Sequence, residues 1–413
     1  MTSLGEKIKL CREARGFTQR ELAERADVSP ATVSAVENGR FVPTPDVVHR
    51  IAAELGLPFY ELAELIPSPK LDTLLEIATV YLSNRDNVRA LQTLHRAQTE
   101  HPTMLEYQRD ELTMIEANCL IYFPESRMQG IETFYALSRK LEGNAHTDLR
   151  LAFRVQNGLG AAWYLHQDFV TALHHYARAL EILKSLPEPG HKLLATAHYN
   201  TGDCLRWLGR DHEAILHLQQ AIEPLTKLRN FFMLGSCYFS LGVSYKNLGL
   251  MPQAVQAFRN AVPLMQQAKS KLFEMRCRSY VAFFDPEQTD DAVAVFEQEL
   301  RELEDTLTPQ YRGLVHTRMA KVHLDRGDLE QAQAALEKAE GLLSGLPPRG
   351  EHAYFLLNCA LYHMAREDYD AASRYAFEAT DLYASLRFFL AELQESLRIG
   401  KEAVFRMRQE VTS

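Results

Sequence analysis

Gln19, Arg20, Ser29, Thr32, Ser34, Asn38 and Arg40 crowd amide, hydroxyl and guanidinium groups into one stretch, TQRELAERADVSPATVSAVENGRF, residues 18–41. Such side chains hydrogen-bond to phosphate oxygens and base edges, and the methyl groups of Ala31 and Ala35 between them suit contact with a thymine methyl. These groups act together only if a rigid element presents them, and the same stretch encodes one. Thr18 with Glu21 three residues on is a capping box that starts a helix at Gln19. Leu22, Ala23 and Ala26 give that helix a narrow apolar stripe, and ADVS ends it. Ser29 then serves as N-cap with Pro30 at the first helical position, Val33 and Val36 face inward, and Gly39 after Asn38 supplies a left-handed stop. Upstream, Leu4, Ile8 and the pair Leu10–Cys11 form a packing helix. Downstream, Thr44-Pro45-Asp46 caps a helix that runs VVHRIAAEL.

In residue order these features resemble the lambdoid-repressor (XRE-type) helix-turn-helix family over residues 4–66. The resemblance implies a five-helix domain, residues 1–66, whose recognition helix, Ser29–Asn38, enters the major groove of double-stranded operator DNA by its N-terminus. On that pattern Ala31, Thr32 and Ala35 face bases and Ser34 lies near the backbone. Gln19, Asn38 and Arg40 match phosphate-contacting places, with Gln19 also within reach of a base. Arg12 and Glu37 match an ion pair tying the first helix to the third. Ala31 and Ala35 offer no hydrogen bonds, so specificity leans on DNA shape and two-fold spacing. The competing reading is a module kept only for protein contacts, which the presence of caps, turn and phosphate residues opposes.

A chain of 413 residues exceeds what one hydrophobic core normally serves. Hydrophobic residues at 46% and charged residues at 24% are ordinary for a folded soluble protein. The net charge of −9 is unusual for a nucleic-acid binder. Residues 1–66 themselves carry eight Lys and Arg against ten acids, so affinity for DNA requires a one-sided arrangement of the bases and dimerisation. With no long apolar run and no signal-peptide pattern at MTSLGEKIKL, the expected location is the cytoplasm, away from membranes. Six cysteines without a CxxC pair read as buried apolar side chains. HEAILH, residues 212–217, spaces its histidines by five where a zinc-binding helix uses four, and His174 and His175 point to different faces. NGLGAAW lacks the third glycine, the strand and the acid of a dinucleotide motif, and no Walker, GxSxG or kinase signature occurs. The expectation is a non-enzyme without cofactor or metal.

After LIPSPK, residues 65–70, of which 67–70 read as a proline-stiffened linker, the sequence becomes self-similar. HYNTGDCLRWLGRDHEAILHLQQAI (198–222) aligns with YFSLGVSYKNLGLMPQAVQAFRNAV (238–262), matching Gly202 to Gly242, Gly209 to Gly249 and Ala214 to Ala254. The small residue recurs at Ala90, Gly130, Ala172, Ala214, Ala254, Ala292, Ala332 and Ala372, at intervals of 38 to 42. The pattern resembles the tetratricopeptide repeat, about eight copies over residues 71–384. It is strong in the third to fifth and seventh copies and weak in the second and sixth, where FFDPEQTDD replaces the usual glycine turn. The fold class expected is all-α: the head, a right-handed superhelix of helix pairs, and a capping helix at 385–413 that covers the last exposed face.

First helices of such pairs line a concave side. By repeat phase they place there Arg154, Asn157, Tyr164, Tyr199, Asn200, Asp203, Arg206, Phe239, Lys246, Asn247, Glu274, Arg278, Arg318, Lys321 and Asn358. Asparagine amides can satisfy both polar groups of an extended peptide's backbone, and Arg206, Lys246, Arg278 and Lys321 could hold a carboxylate. A merely solvated face is the plainer alternative. The order of head and repeats resembles the RRNPP family of peptide-pheromone receptors. The resemblance implies a quorum-sensing transcription regulator, homodimeric or larger, that binds a short linear signalling peptide, with Asn157 and Asn200 at backbone-binding positions. It also implies that peptide binding alters repeat pitch and, through Pro67 and Pro69, the spacing of two heads. Two alternatives remain open: a regulator of a phosphorelay response regulator, as inhibitor or phosphatase, and an adaptor for a protein partner.

Overall fold

The computed structural model describes residues 3–63, 65–66, 70–142, 148–285, 292–386 and 390–412, and every regular element among them is an α-helix. The chain forms two compact units, residues 1–186 and 187–413.

The first unit begins with α1 (Leu4–Ala14), α2 (Gln19–Arg25), α3 (Pro30–Glu37), α4 (Pro45–Glu54) and α5 (Phe59–Ala63). The capping box at Thr18 is present in both directions: Glu21 N–H donates to the threonine hydroxyl, and Thr18 N–H to the Glu21 carboxylate at 2.7 Å. Ser29 accepts from Thr32 N–H at 3.0 Å. Leu4, Ile8, Leu22, Val33, Val36, Val48, Ile51 and Leu62 make the core. Two expectations change. Leu10 is 59% exposed, because Leu4, Ile8 and the half-buried Cys11 already share one helix face and residue 10 falls outside it. Thr44 occupies the N-cap position of α4 but makes no side-chain bond, leaving Pro45 to set the first turn.

The same unit continues with α6 (Leu71–Ser83), α7 (Asn87–Glu100), α8 (Glu106–Leu120), α9 (Arg127–Glu142), α10 (Leu149–Leu165) and α11 (Phe169–Lys184). Pro67 and Pro69 lie outside the described residues, but the elements either side of them are packed together. One apolar cluster runs without a break from Leu4 through Ile66, Leu71 and Tyr81 to Ala162. Phe59 meets Tyr81 edge-on at 5.1 Å, the Arg89 guanidinium lies 3.8 Å over Tyr60, and Asn84 Nδ2 is 2.8 Å from His49 Nε2. The head is therefore seated on the first repeat.

The second unit holds α12 (Gly190–Trp207), α13 (Asp211–Lys227), α14 (Phe231–Asn247), α15 (Met251–Gln267), α16 (Lys271–Phe284), α17 (Ala292–Glu302), α18 (Pro309–Asp325), α19 (Leu329–Leu343), α20 (Gly350–Ala365), α21 (Tyr369–Leu386) and α22 (Leu390–Thr412). Across both units the described helices from α6 to α21 form eight successive pairs. Ala90, Ala172, Ala214, Ala254, Ala292, Ala332 and Ala372 are all fully buried, and Gly130 is buried too. A larger side chain at that position would hold the two helices of a pair apart. Residues 286–291 of the FFDPEQTDD segment lie outside the described residues. In α22, Ile399 and Ala403 are buried, and Ile399 belongs to a cluster with Leu357 and Tyr383. No described helix is long and apolar enough to cross a membrane.

Candidate functional site

Ser29, Ala31 and Asn38 are exposed, Thr32, Ser34 and Ala35 are half-buried, and Arg20 and Arg40 are exposed to either side. The Thr32 hydroxyl lies 2.8 Å from that of Ser29, and Asn38 Nδ2 donates to Ser34 O at 2.8 Å. Beneath this face Glu37 is buried and receives three donors. Arg12 Nε reaches Oε1 at 2.6 Å, Arg12 Nη2 reaches Oε2 at 3.0 Å, and Gln19 Nε2 reaches Oε2 at 2.8 Å. Arg12 Nη1 also donates to Phe17 O at 2.7 Å. The hydrogen bond to Glu37 raises the Arg12 pKa against the opposing effect of burial. One carboxylate thus fixes α1, α2 and α3 in a single geometry and holds the Gln19 amide at the edge of the reading face. Arg50, by contrast, donates to the Ala26 and Asp27 carbonyls and pairs with Asp46, so it braces the head.

In the first unit, Arg154 pairs with Glu111 at 2.7 Å, Asn157 is half-buried on α10, and Tyr164 meets Phe169 edge-on at 5.2 Å. In the second, Tyr199 and Asn200 are half-buried on α12, and burial pushes the Tyr199 phenol up. Asp203 accepts from Arg206 Nε at 3.0 Å and from Ser240 Oγ at 2.7 Å, while Arg206 lies over Trp207. Phe239 packs against Phe258 and Tyr280, and Asn247 donates to Asp211 of α13, so these two serve repeat-to-repeat packing. Asn358 Nδ2 turns back to Tyr354 O at 2.7 Å.

The four cations expected to hold a carboxylate separate here. Arg206 is paired with Asp203, Arg278 with Glu274 and Lys321 with Asp325, each within one helix. Only Lys246 reaches a distant partner, Glu392 at the start of α22, at 3.2 Å. Arg318 is the strongest of the inner candidates: it is 8% exposed, its guanidinium lies 4.4 Å over the Tyr280 ring, and its Nη1 has no hydrogen-bond partner.

Around it stand residues that sequence reasoning passed over, Tyr280, Tyr311, Tyr354 and Arg276. Burial raises the phenols of Tyr311 and Tyr354 to about 12. At Tyr280 burial also pushes upward, yet the nearby Arg318, Lys246 and Arg276 overcome it and the net shift is down. A buried phenol lowered in this way reports a positive local potential. The repeat phase that placed Tyr164, Tyr199 and Phe239 on the inner side is the signal that could have found these residues, and it is weak in the sixth copy, which holds Tyr280 and Arg276.

Burial raises the thiols of Cys119, Cys237, Cys277 and Cys359 to about 12, which keeps them protonated. His175 is buried, with Nδ1 2.9 Å from Gln156 Oε1, whereas His174 is exposed. His217 lies against His198, away from His212.

A helix-turn-helix family model matches residues 8–62 and a tetratricopeptide-repeat model matches residues 151–225, the third and fourth copies. Both halves of the expected organisation are thus present. The HTH-type transcriptional repressor RghR of Bacillus subtilis is 40% identical over 60 residues, 14% of this chain and 44% of its own length. The chain therefore spans under half of that relative. An uncharacterised HTH-type transcriptional regulator of Methanothermobacter thermautotrophicus is 49% identical over 49 residues, 12% of this chain and 71% of the relative. Among solved structures, apo RapI has a TM-score of 0.59 at 11% identity, covering 82% of this chain and 98% of that one. A Rap protein complexed with competence and sporulation factor gives 0.56 at 12%, and the apo quorum sensor NprR of B. thuringiensis 0.54 at 14%, each with the same coverage. At such identities the likeness establishes a shared fold.

Proposed function

The chain belongs to the HTH-type transcriptional regulators, and on that premise we propose that it is an intracellular receptor of RRNPP type. In this reading α3 reads operator DNA, and a linear peptide of roughly five to ten residues binds along the first helices of the repeats. The observation that carries the reading is the unbroken core between head and first repeats, from Leu4 to Ala162. A sensor must bias the geometry of its reader, and a head packed through Phe59, Tyr60 and His49 onto α6 and α7 has little freedom to ignore strain in the repeats. Two such heads, in a dimer, would have to stand about 34 Å apart to enter successive major grooves. The descriptions of two structures of like fold, a quorum sensor and a Rap protein complexed with competence and sporulation factor, agree with the reading.

Arg40 and Arg20 supply sequence-independent attraction to phosphate in this scheme, and Thr32 with Ala31 and Ala35 the thin base readout. Replacing Arg40 by alanine is expected to weaken binding to all duplexes alike and to lower the slope of log affinity against log salt by about one. A change confined to one DNA sequence would move Arg40 from the phosphate role to base readout.

Linkage is the test of the whole. Duplexes selected by the protein from a random library, and peptides it retains from a random heptapeptide pool, should alter each other's affinity by the same factor. Peptides retained without any effect on DNA affinity would sink the sensor reading.

A further inference from the structure

Three of the inner cations of residues 187–413 are neutralised close to home. Arg206, Arg278 and Lys321 have acids on their own helices. Of the buried acids nearby, Glu299 accepts from Ser279 and from Tyr311 and so has both oxygens engaged. Arg318 is different: a buried guanidinium stacked on Tyr280, with Nη1 unsatisfied. An unmet charged donor in such a place costs more than an unmade surface bond, and a structure normally retains one only where something else supplies the acceptor. Lys246 acts on the same Tyr280 phenol from α14, and its ammonium is met by Glu392, brought from the first turn of α22 across 146 residues of sequence. Glu392 also acts on Tyr354, which in turn feels Arg318. Four first helices, α14, α16, α18 and α20, thus bring groups to one positive site, where Glu299 of α17 is engaged by Ser279 and Tyr311 and the acid that reaches Lys246 is a terminal-helix glutamate.

We propose that Arg318, Lys246 and Tyr280 form an anion subsite that takes a carboxylate of a linear peptide, and that Glu392 occupies its edge when no peptide is bound. This rests on the peptide-receptor reading and adds to it the ligand's chemistry and a built-in competitor. The carboxylate is either the peptide's C-terminus or an Asp or Glu side chain. It would accept from Arg318 Nη1 and displace Glu392 from Lys246, loosening the first turn of α22.

The full-length protein should be offered three pools of linear heptapeptides: free C-termini without Asp or Glu, amidated C-termini with Asp and Glu, and amidated C-termini without acids. Retention is read by mass spectrometry for the native chain and for Glu392→Gln, Lys246→Gln and Arg318→Gln. The native chain is expected to retain one or both carboxylate-bearing pools and to reject the acid-free amidated one, and the pool retained identifies the source of the carboxylate. Glu392→Gln should raise affinity for retained peptides about tenfold, by removing the competitor. Lys246→Gln and Arg318→Gln should each lower it roughly ten- to a hundredfold, the range for losing a charge-assisted hydrogen bond. Lys246 lies part-way to the surface, so its variant settles the matter if Arg318→Gln does not fold. Equal retention of the acid-free amidated pool, or unchanged affinity in Glu392→Gln, overturns the subsite while leaving a peptide groove in place. Retention of no pool by any variant would instead overturn the receptor reading, and the subsite with it.

Discussion

Replacing Glu37 by alanine is expected to cost the head about 3–5 kcal/mol, the range for breaking a buried ion pair from one side. The Glu37 side chain is 1% exposed and that of Arg12 9%, so the guanidinium left behind could not recover its hydration without opening α1 from α3. Gln19 would lose its acceptor at the same time. The reciprocal change, Arg12→Ala, should cost a similar amount because it strands a buried carboxylate. Removing both as Arg12→Met with Glu37→Leu should cost far less than the two added together, since an apolar pair needs no compensation. Amide exchange across residues 4–38 of the full-length chain measures this directly, and DNA affinity should fall more than tenfold in either single variant as α3 loses its seat. Single variants within 1 kcal/mol of the native chain would mean that the pair merely decorates a head held by its apolar core.

What could be read beforehand follows the range of the interaction. Capping boxes span three residues, so Thr18–Glu21 and the Ser29 cap on α3 were legible. The repeat was legible because one small residue must recur wherever a second helix crosses its partner, from Ala90 to Ala372. Leu10 was misplaced because an apolar residue beside Cys11 reads as core until the helix phase of Leu4 and Ile8 is given priority. The pairing of Arg206, Arg278 and Lys321 was in principle visible, since Asp203, Glu274 and Asp325 stand three or four residues away on the same helices. Glu392 opposite Lys246 was not, as no local rule links positions so far apart. Nor was the seating of the head. Two prolines at 67 and 69 suggested a spacer, whereas Phe59 on Tyr81 and Arg89 on Tyr60 are tertiary contacts that composition does not announce.

Gly242→Val should be among the more damaging changes in the repeats, with an expected cost of about 3 kcal/mol from overpacking. A Cβ on Gly242 would stand 2.5 Å from the ring of Phe258. That ring is fully buried, with its centroid 5.5 Å from Phe239 and 4.9 Å from Tyr280, and has no free direction in which to move. Valine's better helix propensity returns only about 0.5 kcal/mol. The contrast is Gly249, seven residues on in the same repeat, where φ is +74° and nothing lies within 4 Å of an added Cβ. Gly249→Ala should cost only about 1–2 kcal/mol, the strain of a left-handed residue, and transmit nothing. The two variants therefore part in their reach. Because Phe258 bears on Tyr280 and Tyr280 carries the Arg318 guanidinium, Gly242→Val should also abolish retention of carboxylate-bearing peptides, whereas Gly249→Ala should keep it. Amide exchange in α14–α16 measures the first effect and heptapeptide retention the second. If Gly242→Val proved no more costly than Gly249→Ala, the close approach of α14 to α15 would not be what sets the packing of Tyr280.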